Sequence, residues 1–191
     1  MDMIHPFKVN KMEKKVSLLK RSIAFFIDLY LGALLASIPI SLISLIQINQ
    51  ITQNIFLLDK SIAIIAIILS FVCLGFYYLY IPLFIYPGQT LGKRLMDIQI
   101  IASSKISLVK RQILFMLLFT SASHLFAQLV SLLTGYNLIS LMTDITLSLS
   151  LIAIINLFIT KQMLYDRLAK TYITEFSKQK IFIKNQLREE K

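Results

Sequence analysis

Charged residues are scarce in this sequence: they make up 16% of its 191 residues, whereas 57% are hydrophobic, and the mean hydropathy is +0.73. Soluble globular domains carry about 25% charged residues. So few charges cannot cover a surface that faces water, and the composition therefore excludes an ordinary soluble domain. The chain is predicted to be an integral membrane protein, and a soluble enzyme is not expected.

Cysteine and histidine are also scarce. Cys73 is the single cysteine, which excludes a disulfide within the chain and a cysteine-based metal site. The sequence contains no nucleophile with a partner base and no histidines at metal-ligand spacing. Residues 88–94 (GQTLGKR) lack the spacing of a phosphate-binding loop. We therefore predict no catalytic residues, no metal site and no cofactor.

What the sequence has instead is four long apolar runs, over residues 22–46, 61–86, 113–133 and 138–160. Each reaches the roughly 20 residues that a helix needs to cross a ~30 Å hydrocarbon core. Backbone groups in lipid have to bond within their own segment, so the runs are predicted to be helices. The predicted fold is an all-α membrane protein, a four-transmembrane-helix bundle. The short turn at 134–137 makes its last two helices an antiparallel hairpin.

The positive charges predict the orientation of the bundle. All of the 20 lysines and arginines except Lys60 lie before the first run, between the second and third runs, or after the fourth. By the positive-inside rule these segments are cytoplasmic, so residues 1–20 form a basic cytoplasmic N-terminus and residues 172–191 a basic cytoplasmic tail. The net charge of +10 then indicates membrane topology rather than nucleic-acid binding. The lysine and isoleucine bias is typical of an AT-rich bacterial genome, which points to a multi-pass protein of a bacterial plasma membrane.

The cytoplasmic loop between the second and third runs has a pattern of its own. Residues 98–101 (IQII) and 106–108 (ISL) are separated by the polar segment 102–105. This alternation predicts a small β-hairpin. Ser107 would then cap the third helix.

Three titratable side chains lie inside the apolar runs: Asp28, His124 and Asp144. A charged side chain at the centre of a membrane helix costs about 2.5–3.5 kcal/mol, so such residues usually have a role. Counted from the helix ends, Asp28 is nearest the cytoplasm, His124 is central and Asp144 is nearest the outside. A stepped set of this kind is typical of a proton or cation pathway. A pathway through so few helices implies a homo-oligomer.

Structural roles are the alternative for the same residues. Asp28 should point into the bundle, where it could simply pair with a cation, because its helix face is lined by Ala24, Gly32 and Ala36. His124 belongs to a polar stripe that could do no more than hydrogen-bond neighbouring helices, together with Thr120, Ser121, Gln128 and Ser131. The second run carries tyrosines too deep for an interfacial belt, which are expected to pack or hydrogen-bond inside the bundle: Tyr77, Tyr78 and Tyr80.

Three segments resemble the RDD family of bacterial membrane proteins, which is named for an arginine and two aspartates. Residues 21–28 (RSIAFFID) resemble its first-helix signature, residues 88–95 (GQTLGKRL) its loop after the second helix, and residues 166–169 (DRLA) the segment after its last helix. The resemblance covers Arg21 to about Thr171. The sequence departs from the family at Asp97, where a small residue is common, at Tyr165, where histidine is frequent, and at Lys170, where glycine is usual. These departures concern the local geometry of turns.

The resemblance implies a transmembrane domain over residues 21–171 and a set of motif residues: Arg21, Asp28, Gly88, Thr90, Gly92, Lys93, Arg94, Asp166 and Arg167. Arg21, Asp28 and Asp166 would be the family triad, in a charge cluster that joins the ends of the first and fourth helices. Transport is the usual conjecture for the family, so a small transporter or transport accessory for a cation or proton is the leading prediction. The alternative is a non-transporting scaffold, immunity or assembly factor that acts through another membrane protein.

Asp28 has several candidate cationic partners in the sequence. Arg21 lies about two turns before it on the same helix face, so a coupled Arg21–Asp28 pair is expected first. If Arg21 does not reach the carboxylate, one of three later cations is the expected partner: Lys93, Arg94 or Arg167.

The predicted topology can be tested by labelling. In a Cys73→Ser background, cysteines at Asn54 and Tyr136 should react with an impermeant thiol reagent added outside intact cells, because their loops lack clusters of cations. Cysteines at Ser103 and Gln179 should not react, because their segments are predicted to be cytoplasmic. The reverse labelling pattern would contradict an arrangement of four helices with both termini inside.

Overall fold

The computed structural model describes residues 16–160 and 162–177. Three helices in these ranges are long and apolar enough to cross a membrane: Leu18–Ile48, Lys60–Ile85 and Ile139–Leu157. A fourth span is counted if two shorter helices joined by a sharp bend are taken together. The predicted all-α membrane fold is confirmed. Residues 1–15 and 178–191, which make up most of the predicted basic termini, lie outside the described ranges.

The elements follow one another as α1 (Leu18–Ile48), α2 (Lys60–Gly75) with a π-helical continuation (Phe76–Ile85), α3 (Leu91–Leu95), β1 (Ile98–Ala102), α4 (Lys105–Phe119), α5 (Ala122–Thr134), α6 (Ile139–Thr160), α7 (Leu164–Leu168) and β2 (Thr171–Glu175). A 3₁₀ turn, Ile55–Leu57, lies between α1 and α2. The first, second and fourth apolar runs therefore agree with observed helices to within a few residues.

The third predicted helix is broken. The sequence predicts one helix over residues 113–133, but the structure has α4 and α5 joined with a bend of 72°. Thr120 ends α4 in an extended conformation, and its hydroxyl donates to the Met116 carbonyl (2.7 Å) and accepts from the Ala122 amide (3.3 Å). This hydroxyl competes with the helical hydrogen bonds, which is why the chain turns although the run stays apolar. The prediction of an unbroken third helix is wrong.

α1 packs through a face of small residues. Its buried residues recur at every fourth position from Ala24 to Ser44, and Asp28 and Gly32 are among them. A Cβ on Gly32 would lie 2.2 Å from the Tyr78 hydroxyl oxygen, so glycine is what lets the π-helix approach so closely. Small residues allow close helix packing in membranes. The prediction that Asp28 points into the bundle is confirmed.

β1 and β2 form a two-stranded antiparallel sheet in which Ile100 lies opposite Ile173. The strand predicted over residues 98–101 is confirmed, but the predicted hairpin is wrong, because residues 106–108 belong to α4. Ser104, not Ser107, is the N-cap of α4, and its hydroxyl accepts from the Ser107 amide (3.1 Å). Because Ser104 starts a helix at this point, residues 106–108 are not available as a strand. The partner of β1 is therefore β2, from the end of the described chain.

α3, β1, α7 and β2 pack together as a small cap at the end of the bundle where α1 begins. The apolar core of this cap joins Ala24 of α1 to Ile98 of β1 and Ile173 of β2. An ion pair at 3.5 Å between Lys20 and Glu175 connects the start of α1 to the end of β2. The cap therefore extends past residue 171, where the family resemblance ends the predicted transmembrane domain.

Two turns of the cap have left-handed backbone. Asp97 has φ 56°, and its carbonyl and carboxylate accept hydrogen bonds from the Phe176 and Ser177 amides (3.0 and 3.1 Å) just after β2. Lys170 has φ 52° just before β2. Glycine adopts this conformation most readily. Asp97 and Lys170 are two of the positions where the sequence departs from the RDD-type pattern, and they bracket β1 and β2.

Gly88→Ala should destabilise the protein. Gly88 has φ 72°, and an added Cβ would lie 2.2 Å from the Ile100 carbonyl oxygen, so the change forces both a left-handed alanine and a backbone clash. The left-handed conformation alone costs about 1–2 kcal/mol. Thermal unfolding in detergent should show a clearly lower Tm. Gly75→Ala is the matched control, because nothing lies within 4 Å of its Cβ position, and an unchanged or raised Tm is expected. Equal losses in the two variants would contradict this explanation.

Candidate functional site: a buried charge network

The Asp28 carboxylate is fully buried and accepts four hydrogen bonds. The Tyr77 hydroxyl (2.8 Å) and the Gly92 amide (3.0 Å) donate to its Oδ1. The Thr90 hydroxyl (2.5 Å) and the Lys93 ammonium (2.6 Å) donate to its Oδ2. Buried polar groups in native structures are normally paired in this way. The protein itself therefore satisfies this carboxylate, with donors from the π-helix and from the α3 segment.

α3 lies so close to α1 that the contact needs a glycine. A Cβ on Gly92 would lie 2.5 Å from the Ala24 carbonyl oxygen and 2.7 Å from Asp28 Oδ1. Thr90, directly before α3, is fully buried, and its hydroxyl accepts from Lys93 (3.0 Å). Residues 88–95 therefore supply donors to Asp28 because they fold back against α1 as a short helix.

The π-helix explains why two adjacent tyrosines both reach α1. The Tyr77 hydroxyl donates to the Asp28 carboxylate, and the Tyr78 hydroxyl donates to the Asp28 backbone carbonyl (2.7 Å). The wider turn of a π-helix reduces the angle between successive side chains. π-helical segments are rare in proteins, and those that occur are often at functional sites. The predicted hydrogen bonding of Tyr77 and Tyr78 inside the bundle is confirmed. The same prediction is wrong for Tyr80, which is 48% exposed.

Lys93 is the cationic partner of Asp28. Its Nζ lies 2.6 Å from Asp28 Oδ2, and both residues are buried. Burial lowers the pKa of Lys93, and the nearby Arg111 guanidinium lowers it further, while the Asp28 carboxylate opposes both effects. Removing either partner alone would leave an uncompensated buried charge. The pair therefore fastens α3 to α1.

A second buried ion pair lies beside the first. Arg111 of α4 donates from Nε to Asp166 of α7 (2.5 Å), and its guanidinium lies over the Tyr165 ring, 4.9 Å from the centroid. Asp166 also accepts from the Thr171 hydroxyl at the start of β2 (3.3 Å). Burial, followed by the Asp166 carboxylate, raises the pKa of Tyr165, so its hydroxyl stays protonated. This pair connects α4, α7 and the sheet.

Arg21 stands at the edge of the two pairs and belongs to neither. Seven residues of helix place it ~10 Å from Asp28 along the axis of α1. Among the described residues no ion pair joins the two, so the predicted Arg21–Asp28 pair is wrong and the alternative partner Lys93 is correct. Arg21 interacts electrostatically with Asp166. Asp28 of α1 and Asp166 of α7 do belong to one charge cluster, as predicted. The cations in direct contact with these carboxylates are Lys93 and Arg111.

The other two cations of the predicted motif face outward. Arg94 is exposed and stacks on the Tyr86 ring at 3.7 Å, and Arg167 is also exposed. Arg111, which is 1% exposed, is a member of the network that the sequence motifs do not include. Its position next to Gln112, at the border of the third apolar run, is the signal that could have found it.

His124 and Asp144 do not join Asp28. Both side chains are exposed, whereas Asp28 is fully buried. Asp144 lies about 180° around α6 from the fully buried Ala153, at roughly 100° per residue. In the described part of the chain no hydrogen bond or ion pair connects any two of the three. One subunit therefore does not bring the predicted pathway residues together.

A metal ion has few ligands in this structure. The described ranges contain no group of three or more His, Cys, Asp or Glu side chains that could hold one. The oxygen atoms that do converge are those of Asp28, Thr90 and Tyr77. One carboxylate with hydroxyls is a set suited to a proton or a singly charged cation rather than to a tightly bound transition metal.

Membrane helices that carry a buried charge network, closed at one end by a small cap, define an integral membrane protein with a polar site near one surface. Residues 15–170 match the RDD family. The match covers well over half of the chain, so the chain belongs to the RDD family. Comparison with curated proteins and with solved structures finds no match.

Asp28 and Lys93 should be strongly coupled in stability. Asp28→Asn or Lys93→Met alone should cost about 3–5 kcal/mol, because each leaves one buried charge unpaired. The double variant should cost clearly less than the sum of the two, as measured by unfolding in detergent. The Lys20–Glu175 pair, which is partly exposed and longer at 3.5 Å, is the control cycle, with a smaller expected coupling of about 0–1 kcal/mol. Additivity of the Asp28 and Lys93 substitutions would mean that the two groups do not depend on each other.

Proposed function

We propose that this RDD-family protein is a small transporter, or a transport accessory, that exchanges a cation for a proton at the Asp28–Lys93 pair. The observation that carries the proposal is the buried Asp28–Lys93 pair, in which burial lowers the pKa of the lysine. A lysine whose charged form is disfavoured can release its proton, and a carboxylate can bind a cation. The site therefore has a proton donor and an ion-binding group in direct contact.

The oxygen atoms around the Lys93 ammonium support the proposed exchange. Lys93 Nζ contacts Asp28 Oδ2 and Thr90 Oγ1, and the Tyr77 hydroxyl lies on the other carboxylate oxygen. When Lys93 loses its proton, a singly charged cation at the Asp28 carboxylate restores the lost positive charge. Hard cations prefer oxygen ligands of this kind. One proton leaves for each cation that enters, so the buried site never carries an unbalanced charge.

We place this exchange in a bacterial plasma membrane, with the cap and both termini on the cytoplasmic side, because the cations cluster in those segments. The lipid bilayer is then a partner, and nucleic acid is not. Because His124 and Asp144 are exposed, a pathway that uses them has to be completed between the subunits of a homo-oligomer. The proposal involves transport rather than catalysis.

A second candidate function is a non-transporting scaffold, immunity or assembly factor. The observation that favours it is the exposure of α6. Only 6% of its apolar span is buried, and the exposed side carries Asp144. An ionisable side chain on a membrane helix normally faces protein or water, so another membrane protein would cover this surface. In that case Asp28 and Lys93 serve to fasten α3 to the bundle.

Lys93→Arg separates the two candidates. Arginine keeps the positive charge but does not release a proton, so sodium- or potassium-dependent proton flux in proteoliposomes should fall at least about tenfold while the protein stays folded. Asp28→Asn should also lose flux, because it removes the charge that binds the cation. Asp59→Asn is the matched control, since Asp59 is exposed and lies before α2. Absent flux in the wild type, or unchanged flux in Asp28→Asn, would reject exchange and favour the scaffold.

A further inference from the structure

The charges of the network do not balance. Among the described residues it contains three cations, Arg21, Lys93 and Arg111, and two carboxylates, Asp28 and Asp166. Lys93 and Arg111 each have a carboxylate in direct contact. The Arg21 guanidinium is therefore the positive charge in excess. Arg21 interacts with Asp166 but has no carboxylate in direct contact among the described residues, so an anion at this position would stabilise the folded protein.

Two buried N–H donors at this end also lack partners in the part of the chain that the structure describes. They are Nε of Arg21 and Nε2 of Gln112, and Gln112 is fully buried. The Gln112 amide is oriented by its Oε1, which accepts from Arg111 (3.3 Å), so its free end carries the N–H groups. A buried donor without an acceptor destabilises a protein. Both groups therefore point to an acceptor that these residues do not supply.

The packing one turn deeper places these two donors near each other. The Phe25 ring of α1 contacts the Phe115 ring of α4, with centroids 5.9 Å apart. Arg21 lies four residues before Phe25 and Gln112 three residues before Phe115, so both lie about one turn nearer the cap on facing sides of the two helices. Tyr165 of α7 contacts Phe115 as well (5.6 Å between centroids) and bounds the third side. This level of the bundle lies between α1, α4 and α7.

We propose that a phosphate group binds at this level of the bundle, held by the unpaired N–H groups of Arg21 and Gln112. Guanidinium groups match phosphate oxygens in geometry and charge. Arg21 is partly exposed and lies near the start of α1, which is a candidate membrane span, so a phosphate at the membrane surface can reach it. The phosphate comes from an anionic phospholipid or from free phosphate, since both present the same oxygens. The site is separate from the Asp28–Lys93 pair, so it does not depend on the proposed exchange.

Thermal unfolding of the full chain in neutral detergent tests this site. One arm adds dioleoyl phosphatidylglycerol, with dioleoylglycerol, which lacks the phosphate, as its control. The other arm adds inorganic phosphate at constant ionic strength. At tenfold excess over Kd the Tm of the wild type should rise by about 3–6 °C. A rise with the phospholipid alone identifies a lipid headgroup as the ligand, and a rise in both arms identifies free phosphate as a ligand too. No rise in either arm overturns the proposal.

Two variants decide whether the effect arises at this site. Arg21→Gln should abolish the rise in Tm, whereas Arg94→Gln should keep it, because Arg94 is an exposed arginine beside α1 that stacks on Tyr86 instead. Gln112→Glu places a carboxylate where the anion is expected and still offers Arg111 an acceptor. This variant should melt above the wild type without ligand and should no longer respond to phosphate. A lower Tm with an intact response, or equal losses in Arg21→Gln and Arg94→Gln, overturns the proposal.

Discussion

Asp28 imposes the constraint on which the rest of the structure depends. A carboxylate inside a membrane bundle has no water to bond, so the protein has to bring donors to it. The π-helix brings Tyr77, and the α3 segment brings Thr90, Gly92 and Lys93. These segments come within reach because Gly32 and Gly92 leave room for them. The close packing around α1 is thus a consequence of satisfying one side chain.

The second ion pair extends this constraint to the cap. Lys93 and Arg111 repel each other, and each is held by a carboxylate from a different element, Asp28 of α1 and Asp166 of α7. Under the proposed exchange, a proton that leaves Lys93 changes the electrostatic field at the Arg111–Asp166 pair. That pair holds α7 and, through Thr171, the start of β2. The charge state of the Asp28–Lys93 pair is therefore physically linked to the elements that close this end of the bundle.

The parts of the site that could be predicted are those with a local signal. The inward direction of Asp28 followed from small residues at helical spacing, and residues 88–95 were recognised as a motif. The ranking of Arg21 as the first partner of Asp28 was wrong, because Arg21 and Lys93 carry the same charge and the sequence does not tell how the loop folds back. Arg111 was missed because a lone arginine at the border of an apolar run looks like an ordinary interfacial cation. The break at Thr120 was missed because hydropathy does not register how a hydroxyl bonds to the backbone.

The sequence by itself determined the membrane class, the positions of the long spans and the family, because these depend on the hydropathy of continuous segments and on motifs in a fixed order. Only the tertiary structure decided which charges meet. Asp28 pairs with Lys93, Asp166 pairs with Arg111, and β1 pairs with β2, although each partner lies far along the chain. His124 and Asp144 are residue types that proton pathways use, but both lie on exposed faces. The reason is that burial and pairing depend on how the helices rotate and pack against one another. A single sequence gives the hydropathy of each residue, but it does not give the rotation and packing of the helices.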